Sequence, residues 1–176
     1  KTYSIKEGTV LVQAYAFYGL NKGLLEKVVL PYSVNAIGDS AFYRCSEFSE
    51  IKLPASLKNI GKGTFSELKK LKSVSFEEGS MLSKIESNAF YRCSGIESIE
   101  IPSSVKSIGG FAFFGCSGLV QIDIADGSVL ESIGNYAFAF CDSLISVTIP
   151  NSVITIGDNA FGSCHSLQSI TIPNSV

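Results

Sequence analysis

Five cysteines and a single histidine are the residues of this 176-residue chain with the widest chemical reach. Cys45, Cys93, Cys116, Cys141 and Cys164 are separated by 48, 23, 25 and 23 residues, and His165 follows the last of them. A cysteine–histidine nucleophile needs a thiolate exposed in an electropositive cleft. A zinc site needs paired ligands such as C-x-x-C, which these spacings lack. An odd count leaves a thiol over in any disulfide scheme. All five cysteines stand three residues after a phenylalanine, and Leu20 and Leu68 fill the same slot elsewhere. A slot that accepts Leu or Cys is an apolar packing slot, so the expectation is a column of buried thiols. Stacked coils would hold equivalent Cα atoms ~4.8 Å apart with parallel Cβ vectors. A disulfide wants converging Cβ atoms at ~3.8 Å. A Ser-His-acid triad would also have to use His165, and nothing singles out its nucleophile. Glu77, Glu78 and Asp126 offer carboxylates for calcium, but they sit in two turns that are not adjacent; solvated loop charge is the expectation. The glycines match no phosphate-loop spacing. The sequence therefore points to no enzyme, no metal and no cofactor.

The elements that place these residues recur. Counting Ala-Phe pairs and their variants puts phenylalanines at 17, 42, 65, 90, 113, 138 and 161, in alternating steps of 25 and 23 residues. The common pattern is L-x-x-I-x-I-P-x-S-V-x-x-I-G-x-x-A-F-x-x-C. A period of this length is the mark of a solenoid, whose coils each contact only their neighbours. The I-x-I piece (Ile51/Leu53, Ile99/Ile101, Ile122/Ile124 and their equivalents) alternates as a strand does. All five prolines, Pro31, Pro54, Pro102, Pro150 and Pro173, follow that strand and end it. A second apolar pair such as Val105/Ile108 predicts a short strand on the opposite side of the coil. Gly38, Gly61, Gly109, Gly134 and Gly157 predict a turn with positive φ. Asp39, Asn88, Asn135 and Asn159 predict caps for one helical turn at Ala-Phe-x-x-Cys. The longer steps are assigned to a loop at Gly19-Leu20-Asn21-Lys22-Gly23 and to the turns Glu77–Ser80 and Ala125–Ser128.

Composition narrows the class. The chain is 45% hydrophobic and 17% charged, with net charge −2. That is too apolar for disorder and too lightly charged for a coiled coil. It lacks the basic footprint of a nucleic-acid binder, and no apolar run is long enough to span a membrane. No Asn begins an N-x-S/T sequon.

The repeat pattern closely resembles the BspA-type leucine-rich repeat, from about Tyr3 to Val176. The resemblance implies an α/β repeat solenoid: right-handed, with a parallel β-sheet on its concave side, short second strands, and single helical turns elsewhere. Where ordinary leucine-rich repeats carry Asn, this chain has Ser33, Ser56, Ser104, Ser152 and Ser175, which predict a weaker hydroxyl-to-backbone ladder. Residues 1–176 are expected to be one solenoid domain of about seven repeats. It stops in mid-repeat at Ile172–Val176 without a polar cap, so a longer array is expected, with end-to-end self-association as the alternative. The resemblance further implies a secreted or cell-surface protein of a bacterium or protozoan, concerned with adhesion and virulence, that binds a protein or glycan on a host or neighbouring cell. The competing expectation is an inert spacer that displays another domain.

Outward residues of the front strands are the first candidates for binding: Lys52, Lys72, Ser75, Glu97, Glu100, Gln121, Asp123, Thr148 and Thr171. Charge drifts along the chain, from +3 over residues 1–88 to −5 over 89–176, which would orient a charged partner. A flank patch of Tyr43, Arg44, Tyr91, Arg92 and Phe114 is the alternative, because Tyr and Arg are common interface anchors. Against it stands the reading that these rings merely cover the edge of the core.

Overall fold

The structure, a computed structural model, describes residues 1–20 and 25–176. Most of the loop assigned to residues 19–23 thus lies outside the described residues. The front strands are β1 (Thr2–Ser4), β3 (Lys27–Val29), β5 (Glu50–Leu53), β7 (Ser73–Phe76), β9 (Ser98–Ile101), β11 (Gln121–Ile124), β13 (Ser146–Thr148) and β15 (Ser169–Thr171). Between them run the back strands β2 (Leu11–Val12), β4 (Ala36–Ile37), β6 (Asn59–Ile60), β8 (Lys84–Ile85), β10 (Ser107–Ile108), β12 (Ser132–Ile133) and β14 (Thr155–Ile156). Every pairing is parallel, as in a β-solenoid of about seven turns. In β5 and β9 residues alternate exposed and buried, so the I-x-I positions face inward.

The back strands form one seven-stranded sheet, but the front strands split into two sheets of four, β1–β3–β5–β7 and β9–β11–β13–β15. Proline accounts for part of this. The two ladders of four residue pairs, β5–β7 and β9–β11, are those whose upper strand runs into a residue with an N–H. There Glu77 N donates to Leu53 O (3.0 Å) and Ala125 N to Ile101 O (3.1 Å). Pro54, Pro102 and Pro150 occupy that donor position after β5, β9 and β13. With proline there, β3–β5 and β11–β13 have one pair each and β7–β9 none, while β1–β3 and β13–β15 keep three pairs with Pro31 and Pro173 in the same position, so the missing N–H limits a ladder to fewer than four pairs without fixing its length.

The core is a column of rings. Phe17, Phe42, Phe65, Phe90, Phe113, Phe138 and Phe161 stack at 5.0–5.5 Å between centroids. Each fully buried ring contributes about 1.5–3 kcal/mol by leaving water.

Three expectations about the turn side are corrected. There is no helical turn at Ala-Phe-x-x-Cys, and therefore no α component to the fold among the described residues. In the second coil Ala41, Tyr43 and Cys45 donate three residues back, to Gly38, Ser40 and Phe42. Ser40, Phe42 and Arg44 donate instead to Lys62, Thr64 and Ser66 of the next coil at 2.9–3.0 Å. Half the amides thus build a ladder between coils, which a helix would keep for itself. The alternation is made possible by left-handed residues two before and two after each phenylalanine, such as Ser40 (φ 51°) and Arg44 (φ 56°). The second correction concerns the repeat glycines. Gly38, Gly61, Gly109, Gly134 and Gly157 are not the positive-φ residues. They are needed for close approach: a Cβ on Gly134 would lie 2.5 Å from Gly110 N, and one on Gly109 2.6 Å from Ser87 N. Nor do Asp39 and Asn135 cap helices. Asp39 Oδ1 accepts from Lys62 N (2.7 Å) and Asn135 Oδ1 from Asp158 N (2.9 Å), each joining one coil to the next. Asn88 and Asn159 occupy left-handed positions, which Asn tolerates.

The serine ladder forms in three places. Ser56 donates to Val34 O at 2.9 Å, Ser104 to Leu82 O at 2.8 Å and Ser175 to Val153 O at 2.6 Å. Ser33 accepts from Gly8 N, whereas the buried Ser152 hydroxyl has no partner.

Candidate binding surface

The thiols are sequestered. Cys45, Cys93, Cys116 and Cys141 are buried, and Cys164 is partly so. Each thiol donates to the carbonyl of the phenylalanine one coil earlier: Cys45 to Phe17 (3.0 Å), Cys93 to Phe65 (2.9 Å), Cys116 to Phe90 (3.2 Å), Cys141 to Phe113 (3.4 Å) and Cys164 to Phe138 (3.2 Å). Burial pushes Cys45 up to about 11 and Cys93 up to about 12, and raises Cys116, Cys141 and Cys164 as well. A thiol held protonated is a weak nucleophile and a weak metal ligand. His165 is exposed and joins Asp142 through Nδ1 at 2.7 Å, not Cys164. Among the described residues no cluster of three His, Cys, Asp or Glu suits a metal ion. In the expanded turn, Glu77 is engaged by Lys52 Nζ at 3.1 Å and by Ala55 N at 3.3 Å. The hydrogen bond from Lys52 holds its carboxyl below the usual carboxylate range. Among the described residues, no helix is long and apolar enough to cross a membrane.

The front strands carry Lys52, Ser75, Glu100, Gln121, Asp123, Thr148 and Thr171 outward and exposed, with Lys72 and Glu97 just before β7 and β9. Two hollows open on this face, both where the ladder is reduced to one residue pair. The first, between β3 and β5, is about 430 Å³ and is crossed by the pairs Lys27–Glu50 (2.6 Å) and Lys52–Glu77. The second, between β11 and β13, is about 660 Å³ and runs under the Ala125–Ser128 turn. Its floor combines exposed Val120 and Ile145 with Gln121, Asp123 and Thr148. Gln121 Nε2 donates to Asp123 Oδ1 at 2.6 Å, which fixes both side chains.

The flank residues divide into two groups. Tyr43 stacks on Tyr18 (4.9 Å), Arg44 lies over Tyr43 (5.1 Å), and its Nε meets Glu67 at 3.5 Å. Tyr91 stacks on Phe114 (5.2 Å) and Arg92 lies over Tyr91 (5.2 Å). Phe114 continues into Phe111 (5.6 Å) and Phe140 (5.0 Å), and Phe111 into Tyr136 (5.1 Å). The rings rest on one another and are half-buried or exposed. Phe111, Tyr136 and Phe140 thus join Phe114 on this flank, beyond the residues expected there. Those three sit at left-handed positions (φ 59°, 56° and 59°), which become visible only once the turn is known not to be helical.

The BspA type leucine-rich repeat region matches this sequence in six copies, over residues 1–94 and 83–176. The chain belongs to the BspA-type leucine-rich repeat family. This is a repeat family, and no enzyme family is indicated. A leucine-rich repeat protein of Eubacterium ventriosum is similar in structure, with TM-score 0.85 and 23% identity over 99% of this chain and 45% of its own. The leucine-rich repeat protein of T. pallidum is similar at TM-score 0.81 and 28% identity, over 94% of this chain and 77% of its own. A leucine-rich cell surface protein of Faecalibacterium prausnitzii matches at TM-score 0.58 and 29% identity, over 99% of this chain and 54% of its own. The chain thus spans about half the length of the Eubacterium and Faecalibacterium proteins. No curated protein matches the sequence.

Proposed function

We propose that the chain is a non-enzymatic interaction or adhesion module of the cell surface, binding a protein or glycan partner through its front strand face. The observation that carries this is the hollow between β11 and β13, where the ladder opens to expose apolar floor beside fixed amide, carboxylate and hydroxyl groups. Convergent polar groups over an apolar base are the usual make-up of a recognition site. The corresponding hollow between β3 and β5 is closed by its own ion pairs, so the favoured half of the face is the acidic and hydroxyl-rich one. Surface localisation is supported by family membership and by the Faecalibacterium protein's description as a cell surface protein.

The test immobilises the folded chain and presents matrix proteins, cell-surface proteins and glycans. The double variant Asp123→Lys with Thr148→Lys, which fills the hollow with like charges, runs in parallel. Saturable binding by the parent chain that disappears in a folded double variant supports the reading. Parent and variant binding alike, or no binding by either, overturns it and favours an inert spacer.

A further inference from the structure

The second flank group is built differently from a mere cover over the core edge. Tyr91, Phe111, Phe114, Tyr136 and Phe140 form one connected cluster across three coils, with centroids 5.0–5.6 Å apart. Phe111 and Phe140 remain 37% and 44% exposed. Phe111, Tyr136 and Phe140 adopt left-handed φ, a region bulky residues avoid. Left-handed φ belongs to these slots in every coil, where Ser40, Arg44, Glu67, Asn88 or Gly115 also stand; what sets these coils apart is that the slots hold aromatic rings. Partly exposed, connected aromatic rings are the residue type enriched at protein interfaces.

Beside the cluster is a hollow of about 480 Å³ lined by Lys69, Arg92, Phe114, Ser117, Phe140 and Asp142. Asp142 is already bonded to His165. Arg92 passes over Gly115, where a Cβ would crowd its Cγ at 3.2 Å, and its guanidinium rests on Tyr91. Among the described residues neither Arg92 nor Lys69 has a carboxylate partner, whereas Arg44 pairs with Glu67 and Lys70 with Glu47. The hollow therefore sets two cations without carboxylate partners, Lys69 and Arg92, next to apolar rings, with its one acid, Asp142, engaged by His165.

We infer that this flank is a docking surface for an acidic peptide segment with apolar or aromatic side chains between its carboxylates. The inference rests on the reading of the chain as a binding module and names a partner chemistry and a second surface for it. Charge selects the carboxylates, since a guanidinium is suited to gripping them in a bidentate fashion. Ring geometry selects peptide over sugar. Tyr91 lies between Phe114 and the Arg92 guanidinium, and Phe111 lies face to face with Tyr136, so ring faces on which a sugar would stack are already covered. From Tyr91 to Phe140 is two coil steps of ~4.8 Å, about the reach of three extended residues.

The test passes a phage-displayed library of random peptides over the full chain and over Arg92→Asn and Phe140→Asn. Asn tolerates left-handed φ, so both variants are expected to stay folded, checked by circular dichroism and urea unfolding. The front-face variant Asp123→Lys with Thr148→Lys goes through the same selection, and polygalacturonate oligomers serve as the carboxylated-sugar probe. The expected result is enrichment of acidic–apolar peptides whose synthetic versions bind about tenfold or more weaker to both flank variants, the loss typical of an interface anchor. Enrichment of other sequences, equal binding to the flank variants, or binding of polygalacturonate alone overturns the inference. Peptides lost only on the front-face variant overturn it while leaving the binding-module reading standing. No enrichment on any folded form overturns the inference, while the binding-module reading falls only if the panel of matrix proteins, cell-surface proteins and glycans also fails to bind.

Discussion

Tyr43-Arg44 and Tyr91-Arg92 are the same dipeptide in the same slot, two coils apart, with the guanidinium over the ring at nearly the same distance. What differs is the coil that follows. After Arg44 comes Ser66-Glu67: the hydroxyl is buried and donates to Asn88 O at 2.7 Å, and the carboxylate meets Arg44. After Arg92 comes Phe114-Gly115, which extends the aromatic stack and removes the carboxylate. The first site is closed by its neighbour and the second is open. In a solenoid a coil sees only the coils beside it, so the meaning of a surface dipeptide is set one repeat away.

The largest break in this comparison comes from the ring between the two sites. Phe65 stacks on Phe42 at 5.5 Å and on Phe90 at 5.3 Å, fully buried. Phe65→Ala is expected to lose ~3–5 kcal/mol of stability through transfer and cavity terms. It should also uncouple the coil carrying Arg44 from the coil carrying Arg92, giving two unfolding transitions in urea where the parent shows one. A single transition shifted by less than ~1 kcal/mol would show that the column does not couple the coils.

Much of the fold was legible because stacking forces each slot to repeat. The strands, the proline stops, the back strands and the buried cysteine slot all follow from residue type at fixed phase. The turn side was not legible in the same way. Its left-handed slots hold Tyr15, Ser40, Gly63, Asn88, Phe111, Tyr136 and Asn159, a mixture too varied to announce positive φ. The repeat glycines were legible as a requirement but not as its cause: Gly134 avoids a clash with the coil below, a tertiary demand invisible in one sequence. The front-face candidates stand outward as alternation dictates, but the opening of the β11–β13 ladder to a single pair is not written in residue type, because β13–β15 keeps three pairs with a proline in the same position.

The thiols sharpen the comparison by pH. Cys45 stands with Leu68 in the next coil, whereas Cys93, Cys116 and Cys141 are consecutive, and the charge on one further raises the next. An unfolded thiol ionises near ~8.5, and burial holds Cys93 protonated up to about 12. Above ~8.5 the unfolded chain therefore binds fewer protons than the folded one, and stability falls as pH rises toward the folded value. Each fully buried thiol contributes a slope of about 1.4 kcal/mol per pH unit in that window. Cys93→Ala should flatten the fall in urea stability by that amount between pH ~9 and ~11. An unchanged slope would mean that the thiol is not held in its neutral form.

The smallest effect decides why the first site is closed. Glu67 combines a left-handed φ of 61° with an ion pair to Arg44, and the matching position after Arg92 is Gly115. Glu67→Gly removes both. A partly exposed ion pair contributes ~0–1 kcal/mol, and relief of left-handed strain returns about 1 kcal/mol or more. The expected outcome in urea unfolding is a stability equal to the parent or higher by less than ~1 kcal/mol. Arg44 should then begin to bind acidic peptides, more weakly than Arg92 because no second ring follows Tyr43 on that side. A stability loss above ~1 kcal/mol would mean that the pair outweighs the strain and that Glu67 is there for the fold. A stable variant whose Arg44 still ignores acidic peptides would mean that the ring cluster, not the free guanidinium, makes the second site what it is.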